Sequence, residues 1–432
     1  MAINTKKITS IGLAISAAAV LAACGSNSSG NAAAGGGGGA SAGGSGGGGG
    51  GGAGSYGILS CFSGRLASLG QAMLQGAQVA QTAINSAGGV NGKQVKLSQQ
   101  DTQCDLADAV PATQKLLSGG VSGVIGPETQ EIAAVEPILK NSSIVDEFQG
   151  GDTSRDKQTD PLLFRDSPSD SQLGVAMALY AYQKGYRHAA LMFYTDAAAQ
   201  TLIKPVLATW KKLGGTIVAN VNVAPGQTSY VPEVHSVIAA KPQVIFTQTD
   251  APTAAVLYRD FQQADNLAIP FVGTDVTGAS EYLKAVTFPV AHAHLISVYG
   301  TSLSGKATTE FTNVFNAKFK GQQPLANANY AYDAVVSLAL AQTAAKSADG
   351  AKVAAEMTKV TNPPGTPCYA FAECKKLLTA GTKINYEGAS GSLDYNSYHN
   401  VFGPYGAFRV DLQGNEHQVA LLSAAALAKA TP

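Results

Sequence analysis

Short apolar runs alternate with helical patterns from Tyr56 almost to the end of the chain, and this alternation restricts the fold more than any other feature. Runs such as "YGILSCF", "VSGVIG", "RHAALMFY" and "PQVIFTQ" have the composition of buried strands, while "GQAMLQGAQVAQTAINSAGG" has the apolar spacing of a helix. Strands separated by helices of about 10–15 residues form βαβ units, which build parallel sheets. Right-handed crossovers then produce open, doubly wound sheets with helices on both faces.

The strand–helix alternation occurs in two sets, which meet near "FRDSPSDSQ" at residues 164–172. The folded part of the chain is long enough for two domains with sizeable cores. Beyond Gly300, helical stretches and a last strand pattern at "GAFRVDL" follow. The sequence therefore predicts an α/β protein of two lobes, between which the chain crosses more than once.

The N-terminal region has the features of an export signal. Lys6 and Lys7 precede an uncharged apolar run at residues 11–23, which is too short to span the roughly 30 Å hydrocarbon core as a helix. These features predict a signal peptide at residues 1–23, with an uncleaved short anchor as the alternative. The sequence "LAACG" at its end resembles the bacterial lipobox, which implies that Cys24 is lipidated.

The segment that follows, residues 25–55, consists almost wholly of Gly, Ser, Ala and Asn and has no charge. Such a segment buries too little apolar surface to offset its ordering entropy, so it is predicted to be a disordered linker. Together with the lipidated cysteine, residues 24–55 predict an extracytoplasmic protein tethered to a bacterial membrane. The formal net charge of the chain is zero and no basic stripe occurs, which argues against nucleic acid as a partner.

Four cysteines remain when Cys24 is set aside, and an even number in an exported chain indicates two disulfides. Four cysteines allow three connectivities, and four buried free thiols are the alternative. We favour the pairs Cys61–Cys104 and Cys368–Cys374, because the second pair is close in sequence and the first lies in one early unit.

The loops that follow the predicted strands form the candidate site, because open α/β sheets bind ligands at the carboxyl ends of their strands. The candidate residues in these loops are Ser63, Leu69, Thr129, Gln130, Gln149, Asp152, Tyr194, Asp250 and Asp275. Hydroxyls, amides and carboxylates dominate these loops, and such groups suit hydrogen bonding to a small polar solute. The alternative for each polar residue is a helix N-cap, a position that Ser, Thr and Asp favour.

Motifs for catalysis are lacking in the predicted folded part. It contains no G-x-S-x-G elbow and no Walker loop, and "GGVNG" does not match G-x-G-x-x-G, so no nucleotide cofactor is expected. His292 and His294 form an H-x-H on a predicted strand, where both would lie on one face, but no third ligand has a recognisable spacing. We therefore expect a binding protein with no enzymatic activity, no metal and no cofactor.

Three long stretches resemble a known family. "GQAMLQGAQVAQTAINSAGGVNGKQVKL" and "DTQCDLADAVPATQKLLSGGVSGVIGP" resemble the first lobe of type I periplasmic binding proteins, and more narrowly the leucine/isoleucine/valine-type substrate-binding proteins of ABC transporters. "CYAFAECKKLLTAGTKINYEGASGSLDYN" resembles their C-terminal crossover. The resemblance implies two Rossmann-like lobes with open doubly wound parallel sheets, joined by three crossover strands. Lobe 1 would comprise residues 56–168 and 301–389, and lobe 2 residues 169–300 and 390–432.

The same resemblance implies roles in the cleft. Thr129 and Gln130 would bind a ligand carboxylate, Asp275 would bind an ammonium group, and the loop at residues 149–152 would add a contact. Cleft tyrosines of the relatives are replaced in this chain, at Leu69, Ala199 and Asp250 or Ala251. Fewer aromatic walls and more carboxylates lead us to expect a cationic or hydroxyl-rich ligand rather than leucine. Tight leucine binding, with no binding of polar amines or polyols, would contradict that expectation.

The function implied by the resemblance is that of a solute receptor. Such a protein closes around a small polar ligand, here an amino acid or a related amine or amide, and delivers it to the permease of an ABC importer. A ligand-sensing surface lipoprotein that signals to a membrane partner is the alternative, and a surface hydrolase is disfavoured because no nucleophile–base pair is evident. We expect a monomer whose partners are the solute, the permease and, through the lipid, the membrane.

Overall fold

The computed structural model describes residues 52–302 and 305–432. The predicted signal peptide at residues 1–23, the lipidation of Cys24 and nearly all of the predicted linker lie outside the described residues. Within the described ranges, no helix combines the length and the apolar character needed to cross a membrane.

Lobe 1 is built on a parallel sheet, as the strand–helix alternation predicts. Its strands are β1 (Ser55–Ser60), β2 (Lys96–Asp101), β3 (Gly123–Ile125), β4 (Asp146–Glu147) and β5 (Leu163–Phe164). The helices between them are α1 (Ala67–Ser86), α2 (Leu106–Ser118) and α3 (Ile132–Asn141). The spatial strand order is β2-β1-β3-β4-β5, and every pairing is parallel. The loops after β1, β3 and β4 therefore lie at the same edge of the sheet.

Lobe 2 repeats the alternation. Its first strands are β6 (His188–Tyr194), β7 (Thr216–Val223), β8 (Val244–Gln248), β9 (Phe271–Gly273) and β10 (Leu295–Gly300). Its helices are α4 (Asp170–Gln183), α5 (Ala197–Lys212), α6 (Val231–Ala239), α7 (Ala251–Gln263), α8 (Asp275–Gly278), α9 (Ser280–Val286) and α10 (Phe288–His294). These strands also pair in parallel, so the loops after β6, β8 and β9 share one edge.

The chain then returns to lobe 1 and finally to lobe 2. The returning elements of lobe 1 are α11 (Lys306–Lys318), α12 (Ala328–Ala345), α13 (Gly350–Thr361), β11 (Thr366–Cys368), α14 (Phe371–Thr379) and β12 (Ile384–Tyr386). Lobe 2 is completed by β13 (Tyr405–Val410), β14 (Glu416–Leu422) and α15 (Ala424–Ala430). The predicted α/β fold of two doubly wound lobes is therefore confirmed.

One edge of the second sheet differs from the prediction of parallel strands. Its order is β14-β13-β10-β9-β8-β6-β7, with β13 antiparallel to both β10 and β14. The short connection between β13 and β14 explains the antiparallel pairing of these two strands, because a tight hairpin can join only antiparallel strands. The last strand predicted from the sequence, "GAFRVDL", corresponds to β13, and β14 was not predicted.

The H-x-H histidines do not lie on a strand. His292 and His294 belong to α10, and the His292 Nδ1 atom is 2.7 Å from the backbone oxygen of Val410 on β13. The predicted arrangement of both rings on one strand face was therefore wrong, and His292 contacts the backbone of a neighbouring strand instead.

The segments that connect the lobes run side by side. The Arg165 amide donates to His399 O at 2.9 Å, and the Val401 amide donates to Arg165 O at 3.0 Å. Leu393, Tyr395 and Val401 are buried in the core of lobe 1. The structure therefore places most of residues 390–401 with lobe 1, whereas the sequence analysis assigned them to lobe 2.

Both predicted disulfides are present. Cys61–Cys104 joins the end of β1 to the segment before α2, and Cys368–Cys374 joins β11 to α14. The first disulfide stabilises the loop that enters α1, and this loop also reaches the candidate site.

Helices α1 and α12 approach each other closely in the core of lobe 1. Met73 and Ala77 of α1 are buried in the same cluster as Ala328 and Tyr332 of α12. A Cβ atom at Gly76 would lie 1.9 Å from the carbonyl oxygen of Ala328, so only glycine permits this approach. The packing of α1 on α12 therefore fixes the N-terminal ends of both helices, and residues at these two ends line the candidate site.

We expect Gly76→Ala to lower the free energy of unfolding by roughly 3 kcal/mol, at the upper end of overpacking costs, because the opposing atom is a backbone carbonyl. Gly403→Ala is the matched control, since no atom lies within 4 Å of the added Cβ. Its effect should stay within about 0.5 kcal/mol. Urea unfolding measures both, and equal stability of the two variants would contradict this packing.

Candidate functional site

A cavity of about 120 Å³ lies between the strand ends of the two lobes. Lobe 1 lines it with residues that follow β1, β3 and β4, and lobe 2 with residues that follow β6, β8 and β9. This is the position at which open α/β sheets bind ligands. The cavity is therefore the candidate binding site.

Most of the residues proposed from the sequence line this cavity, namely Leu69, Thr129, Gln130, Gln149, Tyr194, Asp250 and Asp275. Two proposed residues lie elsewhere. The Ser63 hydroxyl donates to Asp101 Oδ2 at 2.5 Å, and the Asp152 carboxylate accepts from the Ser154 amide at 2.8 Å. Ser63 and Asp152 therefore lie outside the cavity lining: Ser63 bonds to the end of β2, and Asp152 caps the turn that follows it, as the N-cap alternative anticipated.

Several lining residues were not proposed from the sequence, and they are Arg65, Glu128, Asp170, Asp196, Tyr299, Asn327 and Tyr330. Arg65, Glu128 and Asp196 lie in the loops already singled out, so the strand-end rule could have found them. Asn327 and Tyr330 lie at the start of α12, which follows a helix rather than a strand. That rule therefore could not have located them.

Two polar contacts bridge the lobes across the cavity. The Asn327 side-chain amide of lobe 1 donates to Asp275 Oδ2 of lobe 2 at 2.7 Å. The Arg65 guanidinium of lobe 1 lies 3.0 Å from Asp196 Oδ2 of lobe 2, and its carbon is 5.2 Å from the Tyr194 ring centroid. Both contacts join groups that separate if the lobes open.

Asp275 is the first residue of α8, separated from the end of β9 by one residue, and it contacts Asn327 of lobe 1. Burial raises the pKa of this carboxyl group, and the hydrogen bond from Asn327 acts in the opposite direction. A buried carboxylate is stabilised by a cationic or hydrogen-bonding partner. Asn327 supplies a neutral donor here, and a ligand ammonium group would be a stronger partner.

Asp170 is the first residue of α4 and is 9% exposed. Its Oδ2 atom accepts a hydrogen bond from the Thr201 hydroxyl, and burial raises its pKa to about 7. A Cβ atom at position 151 would lie 2.2 Å from Asp170 Oδ1, so Gly151 of lobe 1 is needed for this carboxyl group to fit.

Glu128 follows β3 on the lobe 1 side and is also 9% exposed. The Ser60 hydroxyl donates to its Oε1 atom at 3.0 Å. Burial, followed by the nearby Glu131 carboxylate, raises the pKa of Glu128 to about 8. Glu128 and Asp170 thus hold protons near neutral pH while no cation is bound.

Asp250 differs from these groups because both of its oxygens are engaged. Oδ2 accepts from the Tyr194 hydroxyl at 2.7 Å, and Oδ1 accepts from the Thr253 amide at 2.9 Å, which caps α7. Asp250 therefore orients Tyr194 at the cavity wall.

The lobe 1 loop before α3 offers hydrogen-bond donors. In the described part of the chain, the backbone N–H groups of Thr129 and Gln130 donate to no other backbone or side-chain group. Both residues line the cavity. Free N–H groups just before a helix start suit a carboxylate. The cavity therefore combines a donor loop in lobe 1 with an acceptor, Asp275, in lobe 2.

Comparisons with known proteins agree with this arrangement. A family model described as periplasmic binding protein matches residues 56–375. An amino acid binding protein of Pseudomonas aeruginosa is 26% identical over 325 residues, covering 69% of this chain and 80% of that protein. A Leu/Ile/Val-binding protein homolog of Brucella abortus is 26% identical over 303 residues, covering 68% of this chain and 79% of that protein.

A solved structure has the same fold. The crystal structure of a leucine binding protein from Thermotoga maritima superimposes with a TM-score of 0.73 at 19% identity, covering 85% of this chain and 98% of that one. Together, these comparisons confirm the resemblance drawn from the sequence and the α/β fold that it implied.

The raised pKa values of Asp170 and Glu128 predict how stability depends on pH. Both values, about 7 and about 8, exceed the ordinary pKa values of 3.8 for Asp and 4.5 for Glu, so the folded state binds protons that the unfolded state has lost. The free energy of unfolding of the ligand-free protein should therefore fall as pH rises from about 5 to about 8. Thermal denaturation across this range measures the effect.

In Asp170→Asn, the fall in the free energy of unfolding between about pH 5 and about pH 8 should be smaller by on the order of a few kcal/mol, because the amide has no proton to lose. Asp265→Asn, at an exposed position, is the control and should leave the pH dependence unchanged. An unaltered pH dependence in Asp170→Asn would contradict the raised pKa.

Proposed function

Because the chain belongs to the periplasmic binding protein family, we propose that it is an extracytoplasmic receptor that closes around one small ligand bearing an amino group and delivers it to an ABC importer. The chain is a solute-binding protein of the amino-acid-binding class and not an enzyme. The observation that carries the proposal is the contact between Asn327 and Asp275. In it, the neutral side-chain amide of Asn327 in lobe 1 donates to the carboxylate of Asp275 in lobe 2, where a ligand ammonium group would be a stronger partner.

The cavity has the size of an amino acid. A water molecule needs about 10–15 Å³ of such volume, so 120 Å³ corresponds to roughly ten water-sized positions. A ligand of about ten non-hydrogen atoms fits this space. The relatives from Pseudomonas aeruginosa and Thermotoga maritima are described as binding an amino acid and leucine, which supports the same size class.

The two ends of an amino acid match the two sides of the cavity. A carboxylate fits the free N–H groups of Thr129 and Gln130 in lobe 1, and an ammonium group fits Asp275 in lobe 2. A ligand held in this way contacts both lobes. It therefore stabilises the closed form relative to the open form, which shifts an existing equilibrium.

Delivery follows from closure in this proposal. A permease that recognises the closed form would take up the ligand, and the predicted lipid at Cys24 with its linker would keep the receptor close to that permease. Anchoring, the permease and the monomeric state are parts of the proposal. A lipid chain alone gives only marginal membrane binding, so the receptor would move readily over the membrane surface.

We expect Asp275→Asn to weaken binding of an amino-group ligand by about 10–100-fold, because a charge-assisted hydrogen bond in a closed site contributes roughly 1.5–3 kcal/mol. Thr129→Ala should weaken binding by less than about tenfold, because the backbone donors remain. Isothermal titration calorimetry against an amino-acid panel measures both effects.

Ser63→Ala is the matched control, since Ser63 is exposed and bonded to Asp101 outside the cavity. The Ser63→Ala variant should bind the ligand with the same affinity as the unmodified protein. Unchanged binding in Asp275→Asn, measured with a ligand that the unmodified protein binds, would rule out the assigned ammonium position.

A further inference from the structure

The cavity contains more negative groups than one amino acid needs. Its charged lining residues are Arg65, Glu128, Asp170, Asp196, Asp250 and Asp275. Arg65 is paired with Asp196, and Asp250 is engaged by Tyr194 and Thr253. If Asp275 binds one ammonium group, Glu128 and Asp170 remain, and neither forms an ion pair with a described residue, although the Arg165 guanidinium is near enough to lower the pKa of Asp170.

Asp170 lines the cavity, and one of its two carboxylate oxygens has no hydrogen-bond donor among the described residues. Its Oδ2 atom accepts from Thr201, whereas no donor in the described ranges reaches Oδ1. The side chain is packed between Gly151 of lobe 1 and α5 of lobe 2, so it is fixed in place where the lobes meet. Glu128 likewise has Oε1 bonded to Ser60, while Oε2 accepts no bond from the described residues.

These carboxyl groups lie within electrostatic range of Asp275. Burial is the largest cause of the raised pKa of Asp170 and of Glu128, and the Asp275 charge adds to it in both cases. The three acidic groups oppose one another's ionisation, and the Arg165 guanidinium, which lowers the pKa of Asp170, offsets this only in part. An uncharged ligand would leave Asp170 and Glu128 protonated, and a cationic group would replace those protons.

We propose that the ligand carries two positively charged nitrogen groups, one bound at Asp275 and the second bound at the free oxygen of Asp170, with Glu128 adding negative potential. This inference rests on the proposed function and names the ligand class of the same cavity. It distinguishes this receptor from one that accepts a branched aliphatic side chain.

The remaining cavity lining suits such a ligand. The wall includes the aromatic residues Tyr194, Tyr299 and Tyr330, and aromatic rings attract cations, as Arg65 beside the Tyr194 ring illustrates. Leu69 and Met73 provide apolar surface for the methylene chain that separates two amino groups. A basic amino acid and a linear diamine share this chemistry, and they differ in the carboxylate that would bind at Thr129.

Lysine, norleucine and cadaverine separate these possibilities. Lysine and norleucine have the same carbon chain and differ in the terminal ammonium group, whereas cadaverine lacks the carboxylate. Isothermal titration of the protein should show lysine binding at least tenfold more tightly than norleucine. In Asp170→Asn the ratio of the two affinities should fall close to one, and Glu128→Gln should lower it less. Tighter binding of cadaverine than of lysine would assign the ligand to the diamines.

A second readout is proton release. When lysine binds at pH 7, the Asp170 carboxyl group should lose a proton, so the binding enthalpy should depend on the ionisation enthalpy of the buffer. Asp170→Asn should remove this dependence. If Asp170→Asn lost its preference for lysine only because it misfolds, it would lose norleucine binding as well, and the same titration would detect that loss.

Failure of this inference and failure of the proposed function give different results. Norleucine binding that equals or exceeds lysine binding, and that requires Asp275, would overturn the second cation position and leave the receptor function intact. Absence of binding for all three compounds, and for the other amino acids, would overturn both.

Discussion

A buried guanidinium group joins the two lobes at the hinge, and the geometry of the cleft depends on it. Arg165 is 1% exposed, and its Nε atom donates to Asn400 Oδ1 at 2.7 Å. Its other nitrogens reach Asp156 Oδ1 at 2.5 Å and the backbone oxygen of Asp152 at 3.0 Å. Asp156 also accepts hydrogen bonds from the hydroxyls of Ser169 and Ser171, at the start of α4. One ion pair therefore connects two crossover segments, a loop of lobe 1 and the first turn of a lobe 2 helix.

The position of Asp170 follows from this hinge. Asp170 lies between the two serines bound to Asp156, so the network that fixes the hinge also fixes a cavity carboxyl group. Breaking a buried pair by removing one partner leaves an uncompensated charge, which costs about 3–5 kcal/mol. By contrast, the Arg65–Asp196 pair is partly exposed, and such pairs contribute about 0–1 kcal/mol. The described contacts across the cavity are thus the partly exposed Arg65–Asp196 pair and the hydrogen bond from Asn327 to Asp275. In the proposed function, a bound ligand would add to these contacts and shift the equilibrium towards the closed form.

Much of the fold could be predicted because βαβ units follow directly from the alternation of apolar runs and helices. The same logic located Thr129 and Asp275, since both follow parallel strands. It did not locate Asn327, which follows no strand and reaches the cavity only because α12 packs on α1 at Gly76. Ser63 and Asp152 lie outside the cavity lining because a polar side chain after a strand can equally well bond to a neighbouring strand end, as Ser63 does, or to its own loop, as Asp152 does. The hairpin of β13 and β14 escaped prediction because β14 is an edge strand that is largely exposed and therefore lacks the buried apolar run of the other strands.

Asn327 donates a hydrogen bond to Asp275, and burial raises the pKa values of Asp170 and Glu128, so that both groups hold protons more readily. In our proposal, a cationic ligand replaces the amide at Asp275 and the proton at Asp170. A crystal structure of the protein with its tightest-binding amine tests this exchange most directly. We predict a ligand nitrogen within about 2.7–3.2 Å of Asp275, with the Asn327 amide displaced from that carboxylate. A ligand bound elsewhere, or an intact bond between Asn327 and Asp275 with the ligand nitrogen remote from both, would contradict the assignment of Asp275 as the ammonium acceptor.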